Sequence, residues 1–168
     1  MNKKVAFIGL GVMGFPMAGW LSKNGYSVAV YNRTTSVAKK WLDTYAGSMA
    51  SSPSTAAADA EIVFICVGND NDVLEVVCGE KGILSGIKQG AILVDHTTTS
   101  AELAKELAVK VKKHHCKFVD APVSGGQQGA ENGQLTVMCG GDEIIFNRVT
   151  DAINCYAKAL NLLGPVDM

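Results

Sequence analysis

Apolar residues fall in short unbroken blocks separated by helix-length stretches of mixed polarity. The blocks are KVAFIG (4–9), SVAVYN (27–32), EIVFICVG (61–68), AILVDH (91–96) and KFVDAP (117–122). Runs this short and continuous suit strands buried on both faces of a parallel sheet, because a strand with one wet face alternates instead. The stretches between them carry helix-start signals. Ser52-Pro53 offers an N-cap with proline at N1, Thr99 to Glu102 reads as a TxxE capping box before LAKELAVKVKK, and Asp142 can cap EIIFNRVTDAI, each answering N–H groups that a first turn leaves free. GSMA (47–50) reads as a weak extra strand and ALNLL (159–163) as an apolar one. This alternation predicts an α/β fold: a doubly wound, mainly parallel sheet with right-handed crossovers and helices on both faces. No repeat, low-complexity tract or flexible linker divides the chain, so residues 1–168 are expected to form one domain.

Composition narrows the partners. A chain of 168 residues can bury roughly 68 to 70% of its unfolded surface, enough for a core of its own. Net charge is -1, 18% of residues are charged, and the cations cluster no further than adjacent pairs such as Lys112 and Lys113. That gives no footprint for nucleic acid or an anionic membrane and points to small-molecule partners. Cys66, Cys78, Cys116, Cys139 and Cys155 are widely spaced with no CxxC pair, so each is read as a small buried hydrophobe in a reducing compartment, and no metal site is expected. The first residues lead directly into an apolar run too short for a signal peptide or a membrane span, and the expectation is a cytoplasmic protein.

The first strand ends in GLGVMG, where Gly9, Gly11 and Gly14 satisfy GxGxxG. The pattern is weak alone but has a mechanism between a strand and a helix, the context of the Rossmann fold. Gly9 permits the tight turn, Gly11 lets backbone approach a pyrophosphate, and Gly14 lets helix and strand pack closely while the helix N-terminus faces the phosphates. Leu10, Val12 and Met13 complete that turn, although the side chains of Met13 and Met17 are most simply core. An NAD site usually places an acid at the end of the second strand to hold the ribose hydroxyls. Here Asn32 is neutral, and Arg33 and Thr34 follow. A guanidinium can grip a 2′-phosphate, so NADP(H) is preferred over NAD(H).

The stretch VDAPVSGGQQGAENGQL (119–135) holds more glycine and side-chain amide than a turn requires. Successive backbone N–H groups in such a turn form an anion-binding concavity. A glycine-rich hairpin without a ligand is the simpler alternative. His114 and His115 close a helix where cations complement its dipole. His96 is read as a packing residue without an orienting partner.

FIGLGVMGFPMA, NRTTSVAKKW, VDHTTTSAELA and DAPVSGGQQGAENGQLTVMCGG together resemble the N-terminal NADP-binding domain of the β-hydroxyacid dehydrogenases, which include 3-hydroxyisobutyrate dehydrogenase and glyoxylate and succinic semialdehyde reductases. One departure is Trp20, where the family more often has a small polar residue. The resemblance implies that Ser124, Gly125 and Gly126 bind the substrate carboxylate. It also implies that Thr98 lies near the nicotinamide ribose and that Val67, Gly68 and Asn69 run along the cofactor. Asn69 and Asp70 are equally placed to cap the next helix. The family's catalytic lysine and its helical C-terminal domain have no counterpart in these residues, and Lys158 does not match that lysine's motif. The expectation is therefore a cofactor-binding domain of an NADP(H)-dependent oxidoreductase that moves hydride to or from a small hydroxyacid or aldehyde acid, inactive alone and self-associating through exposed apolar strands. Two alternatives stay open: a noncatalytic NADP-binding or scaffolding module, and a domain like that of 6-phosphogluconate dehydrogenase, against which Gly11 argues because that group usually has alanine there.

Overall fold

The computed structural model describes residues 3–166. Strands β1 (Lys4–Ile8), β2 (Ser27–Tyr31), β3 (Ser48–Met49), β4 (Ile62–Ile65), β5 (Ile92–Asp95) and β6 (Lys117–Asp120) pair in parallel in the order β3-β2-β1-β4-β5-β6. Each of the five apolar blocks supplies a strand that ends short of the last residue of its block. Past β6 the sheet changes character. β7 (Val123–Ser124) and β8 (Leu135–Gly140) are antiparallel to each other, and β9 (Ala157–Gly164) runs parallel to β8 along its other side as the sheet edge.

Side chains along each strand alternate between two cores, as the period of a strand requires. Val5 and Phe7 face one layer with Met17 and Leu21 of α1 (Gly14–Lys23), Trp41 of α2 (Thr35–Thr44) and Val149 of α7 (Glu143–Ile153). Ala6 and Ile8 face the other with Ala57 of α3 (Pro53–Ala57), Val77 of α4 (Asp70–Cys78) and Leu107 of α5 (Ala101–Lys113). Burying each such aliphatic or aromatic side chain contributes ~1.5–3 kcal/mol, which explains why the blocks tolerate no polar interruption.

Two caps form as expected: Ser52 Oγ accepts the Thr55 N–H and Asp142 Oδ1 accepts the N–H groups of Ile144 and Ile145. The third is displaced. Ser100, not Thr99, caps α5, its Oγ accepting the Leu103 N–H at 3.1 Å. Asp70 fixes this choice by accepting both the backbone N–H and the hydroxyl of Ser100, at 3.2 and 2.8 Å. The buried-hydrophobe reading of the cysteines fails at Cys78, which ends α4 exposed, because the inward positions of that helix fall to Val73 and Val77.

The glycine-rich stretch is not a simple turn. Gly126–Glu131 forms a short helix, α6, entered through Gly125 at φ 126° and Gly126 at φ 62°, backbone that side chains adopt only with strain. Trp20 of α1 holds this helix: its indole Nε1–H donates to the Ala130 carbonyl at 3.0 Å, and Gly133 lies against its ring. The residue that departs from the family pattern thus joins α1 to α6.

Candidate functional site

β1 is flanked by β2 on one side and β4 on the other, so the connections leaving their carboxyl ends diverge and open a crevice. A cleft of about 450 Å³ lies there, within the range of small-molecule and cofactor sites. Gly9, Gly11, Val12, Met13, Gly14, Asn32, Arg33, Thr34, Val67 and Gly68 all line it, and the structure brings in Tyr31, Asp72, Glu75 and Val76 besides. Leu10 is buried behind the turn.

The three glycines are needed for different reasons. Gly9 sits at φ 103° with its α-carbon so close to β4 that an added Cβ would lie 2.1 Å from the Cys66 carbonyl oxygen. At Gly14 a Cβ would lie 2.0 Å from the Gly9 carbonyl oxygen and 3.1 Å from the Phe7 ring. A Cβ at Gly11 would meet nothing within 4 Å. That position is held open toward the cleft, which is what close approach of a pyrophosphate to backbone demands. The first turn of α1 carries no acidic residue and no side-chain cap, so its N–H groups and positive dipole end face the cleft without competition. These features fit a dinucleotide. The turn from Gly9 to Gly14 would hold its phosphates.

Asn32 and Arg33 divide the work at the end of β2. Asn32 Oδ1 accepts the Leu10 N–H at 2.9 Å and its Nδ2 donates to the Thr34 carbonyl at 3.1 Å, so it ties the phosphate turn to the next strand. Arg33 extends over the cleft with 79% of its side chain exposed, and its Nη1 lies 3.9 Å from Asp72 Oδ1.

A second group of residues stands beside the cleft at the ends of β5 and β6. Thr97, which sequence reasoning missed in favour of its neighbour, is buried and accepts the Val67 N–H on Oγ1 at 3.0 Å. Thr98 is exposed and does not line the cleft. Asp95 is fully buried; its Oδ1 accepts the Thr97 N–H at 2.9 Å, and Oδ2 has no partner among the described residues. Burial pushes its carboxyl up to about 7, although hydrogen bonds from Thr97 pull the other way, and its strand neighbour Asp120 is pushed to about 6 by burial. Burial likewise drives the Cys66 thiol to about 12, so it offers no thiolate to the cleft.

His96 does have orienting partners. Its Nδ1 lies 2.6 Å from the Ala121 carbonyl, which can only accept, so Nδ1 carries the proton and Nε2 accepts from the Tyr156 hydroxyl at 2.6 Å. Stacked on Phe64 and buried, the ring is kept neutral, with its pKa lowered by desolvation to about 4. Both nitrogens are engaged, so His96 positions the Ala121–Pro122 bend instead of exchanging protons. Tyr156 lies 60 residues away, beyond any local pattern. Asn69 is the N-cap of α4, its Oδ1 accepting the Asp72 N–H at 2.9 Å. Ser124, Gly125 and Gly126 are exposed at the entrance to α6, outside the cleft lining, and Lys158 is exposed on β9. No helix of the described residues is long and apolar enough to cross a membrane.

Known proteins share this arrangement. The family model described as the NAD binding domain of 6-phosphogluconate dehydrogenase matches residues 4–164. An uncharacterised oxidoreductase from Shewanella frigidimarina is 57% identical over 97% of this chain and 56% of its own length. The mitochondrial 3-hydroxyisobutyrate dehydrogenase of Mus musculus is 39% identical over 96% of this chain and 48% of its own. The solved Mycobacterium tuberculosis 3-hydroxyisobutyrate dehydrogenase with L-serine superposes with a TM-score of 0.92 at 28% identity, over 98% of this chain and 55% of that one. The chain thus spans about half the length of the relatives it matches. On that match over nearly the whole chain, it belongs to the family of NAD-binding domains typified by 6-phosphogluconate dehydrogenase, among relatives that are 3-hydroxyisobutyrate dehydrogenases.

Proposed function

We propose that this domain holds NADP(H) in preference to NAD(H) for an oxidoreductase that moves hydride between the nicotinamide and a small hydroxyacid or aldehyde acid. The observation that carries the cofactor preference is the end of β2. Asn32 spends its amide on Leu10 and Thr34, no acid stands at that position, and Arg33 projects over the same cleft as a largely exposed cation. A guanidinium there grips a 2′-phosphate through charge-assisted bonds that a plain ribose hydroxyl cannot match. The bound cofactor supplies the hydride chemistry. This chain's residues bind its phosphates, set the Val67–Gly68 backbone through Thr97, and keep Gly11 clear.

Two features support the substrate class. L-serine, bound to the Mycobacterium tuberculosis relative, pairs a carboxylate with a 3-hydroxyl. The backbone at Gly125 and Gly126, both at positive φ before α6, turns N–H groups into an exposed bend suited to a carboxylate. His96 is committed to Ala121 and Tyr156, and Asp95 and Asp120, although raised to about 7 and about 6, do not line the cleft, so we propose that turnover needs residues beyond this chain. The test is paired. Fluorescence titration with NADPH and NADH should show tighter NADPH binding, and Arg33→Ala should weaken NADPH about 10- to 100-fold while NADH hardly moves. Equal losses for both cofactors would end the phosphate-reading role. Clear oxidation of NADPH with glyoxylate or succinic semialdehyde by the purified chain would end the claim that it is inactive alone.

A further inference from the structure

Asp72 lines the cleft from α4. It sits in the first turn of α4, its backbone N–H fixed by Asn69 Oδ1 at 2.9 Å, and its carboxylate leans on the cleft wall so closely that a Cβ at Gly68 would lie 2.8 Å from Oδ2. Its side chain is 30% exposed where that of Arg33 is 79% exposed, and the two meet at 3.9 Å. The less exposed acid and the more exposed cation therefore form a pair in the part of the cleft that Arg33 lines. We propose that Asp72 is a second determinant of cofactor choice: its carboxylate holds Arg33 when no 2′-phosphate is present and opposes that phosphate when one enters.

This inference rests on the reading of Arg33 given above. A phosphate that recruits Arg33 must replace an existing ion pair and bring its own negative charge close to a carboxylate that cannot retreat into solvent as freely as the guanidinium can. A dinucleotide without the 2′-phosphate brings no such charge. Asp72 thus narrows the gap between NADPH and NADH that Arg33 opens, and it does so without touching the phosphate turn.

The experiment is a double-mutant cycle on the full 168-residue chain, with NADPH and NADH titrated against wild type, Asp72→Asn, Arg33→Ala and the double variant, and thermal melting as a control for folding. Asp72→Asn keeps the shape and the contact with Gly68 but removes the charge. It should tighten NADPH about three- to tenfold, change NADH much less, and lose its effect in 0.5 M salt, roughly as expected for a partly exposed charge pair. In the Arg33→Ala background the gain should shrink to the repulsion alone, so the cycle should show coupling. If Arg33→Ala weakens NADPH but Asp72→Asn leaves it unchanged, this inference falls and the reading of Arg33 stands. If Arg33→Ala itself spares NADPH, both fall. A selective loss of NADH in Asp72→Asn would instead make Asp72 a holder of ribose hydroxyls and overturn the inference.

Discussion

The two glycine-rich stretches of this chain use the same residue for opposite ends. In GLGVMG, Gly9 and Gly14 are glycine because other backbone occupies the space: a Cβ would lie 2.1 Å from Cys66 O and 2.0 Å from Gly9 O. In SGGQQGAENG, a Cβ at Gly126 would meet nothing within 4 Å, and glycine is required by φ 62°. The first stretch is built by close packing of β1, its turn and α1, with the end of β4 closing on Gly9. The second is a local backbone path whose position is set from far away, by Trp20 on α1 and by His96 holding Ala121. Packing within consecutive elements leaves a spacing in the sequence. Positioning by distant partners does not.

The contrast can be broken most forcefully at Gly9. Gly9→Ala combines a backbone clash with a left-handed φ of 103° and should cost about 3 kcal/mol or more, visible as a large drop in Tm or loss of soluble protein. A normal melting curve would show that the turn relaxes and that its glycine is not steric.

The next effect lies at the seam between the two regions. Asp95 has a folded value of about 7, raised from 3.8. Its proton therefore stays on in the folded state after the unfolded chain has lost it, so its contribution is fully present below about pH 4 and is lost as pH rises toward 7. Asp95→Asn keeps the acceptor for Thr97 and cannot ionise. Denaturant titrations of both proteins at pH 4.5 and pH 7 should show the variant gaining on wild type by up to about 1.4 kcal/mol per pH unit. His96, shifted the opposite way to about 4, acts in both proteins and cancels in the difference. A difference that does not change with pH would mean Asp95 is ionised throughout.

The substitutions that sharpen the comparison are Gly11→Val and Gly126→Ala. With open space at Gly11, Gly11→Val should leave Tm almost unchanged yet weaken NADPH at least tenfold, about 1.4 kcal/mol. Gly126→Ala should do the reverse, costing about 1 kcal/mol of stability through its φ alone and sparing NADPH affinity. The smallest effect concerns β9, whose outer side is the sheet edge and whose Leu163 is 52% exposed. Such an edge is a template for pairing, so sedimentation should reveal weak self-association at high concentration, and a monomer throughout would dismiss it.

The strands β1, β2, β4, β5 and β6 and the glycine turn were legible because each leaves a local pattern, unbroken apolar runs for burial on both faces and a strand–GxGxxG–helix spacing, even though the clash at Gly9 is with Cys66, far along the chain. The cap of α5 shifted to Ser100 because Asp70, on another helix, chose it. The burial of Thr97 just past β5 was missed because what fixes it is the contact of its hydroxyl with Val67, 30 residues away, and of its N–H with Asp95. Asp72 and Tyr156 carried no signal at all, since their partners Arg33 and His96 lie 39 and 60 residues away in sequence.

The chain's two tryptophans are placed to report on different things. Trp41 is fully buried, its indole N–H held by the Phe15 carbonyl at 3.2 Å, and its emission should stay constant while the fold is intact. Trp20 is half-buried at the joint with α6, with the Lys23 ammonium 4.8 Å from its ring. Any movement of the glycine-rich segment must alter that indole's surroundings. The protein therefore carries an intrinsic optical probe of its glycine-rich segment together with an internal reference, and a Trp41→Phe variant would isolate the signal without a label.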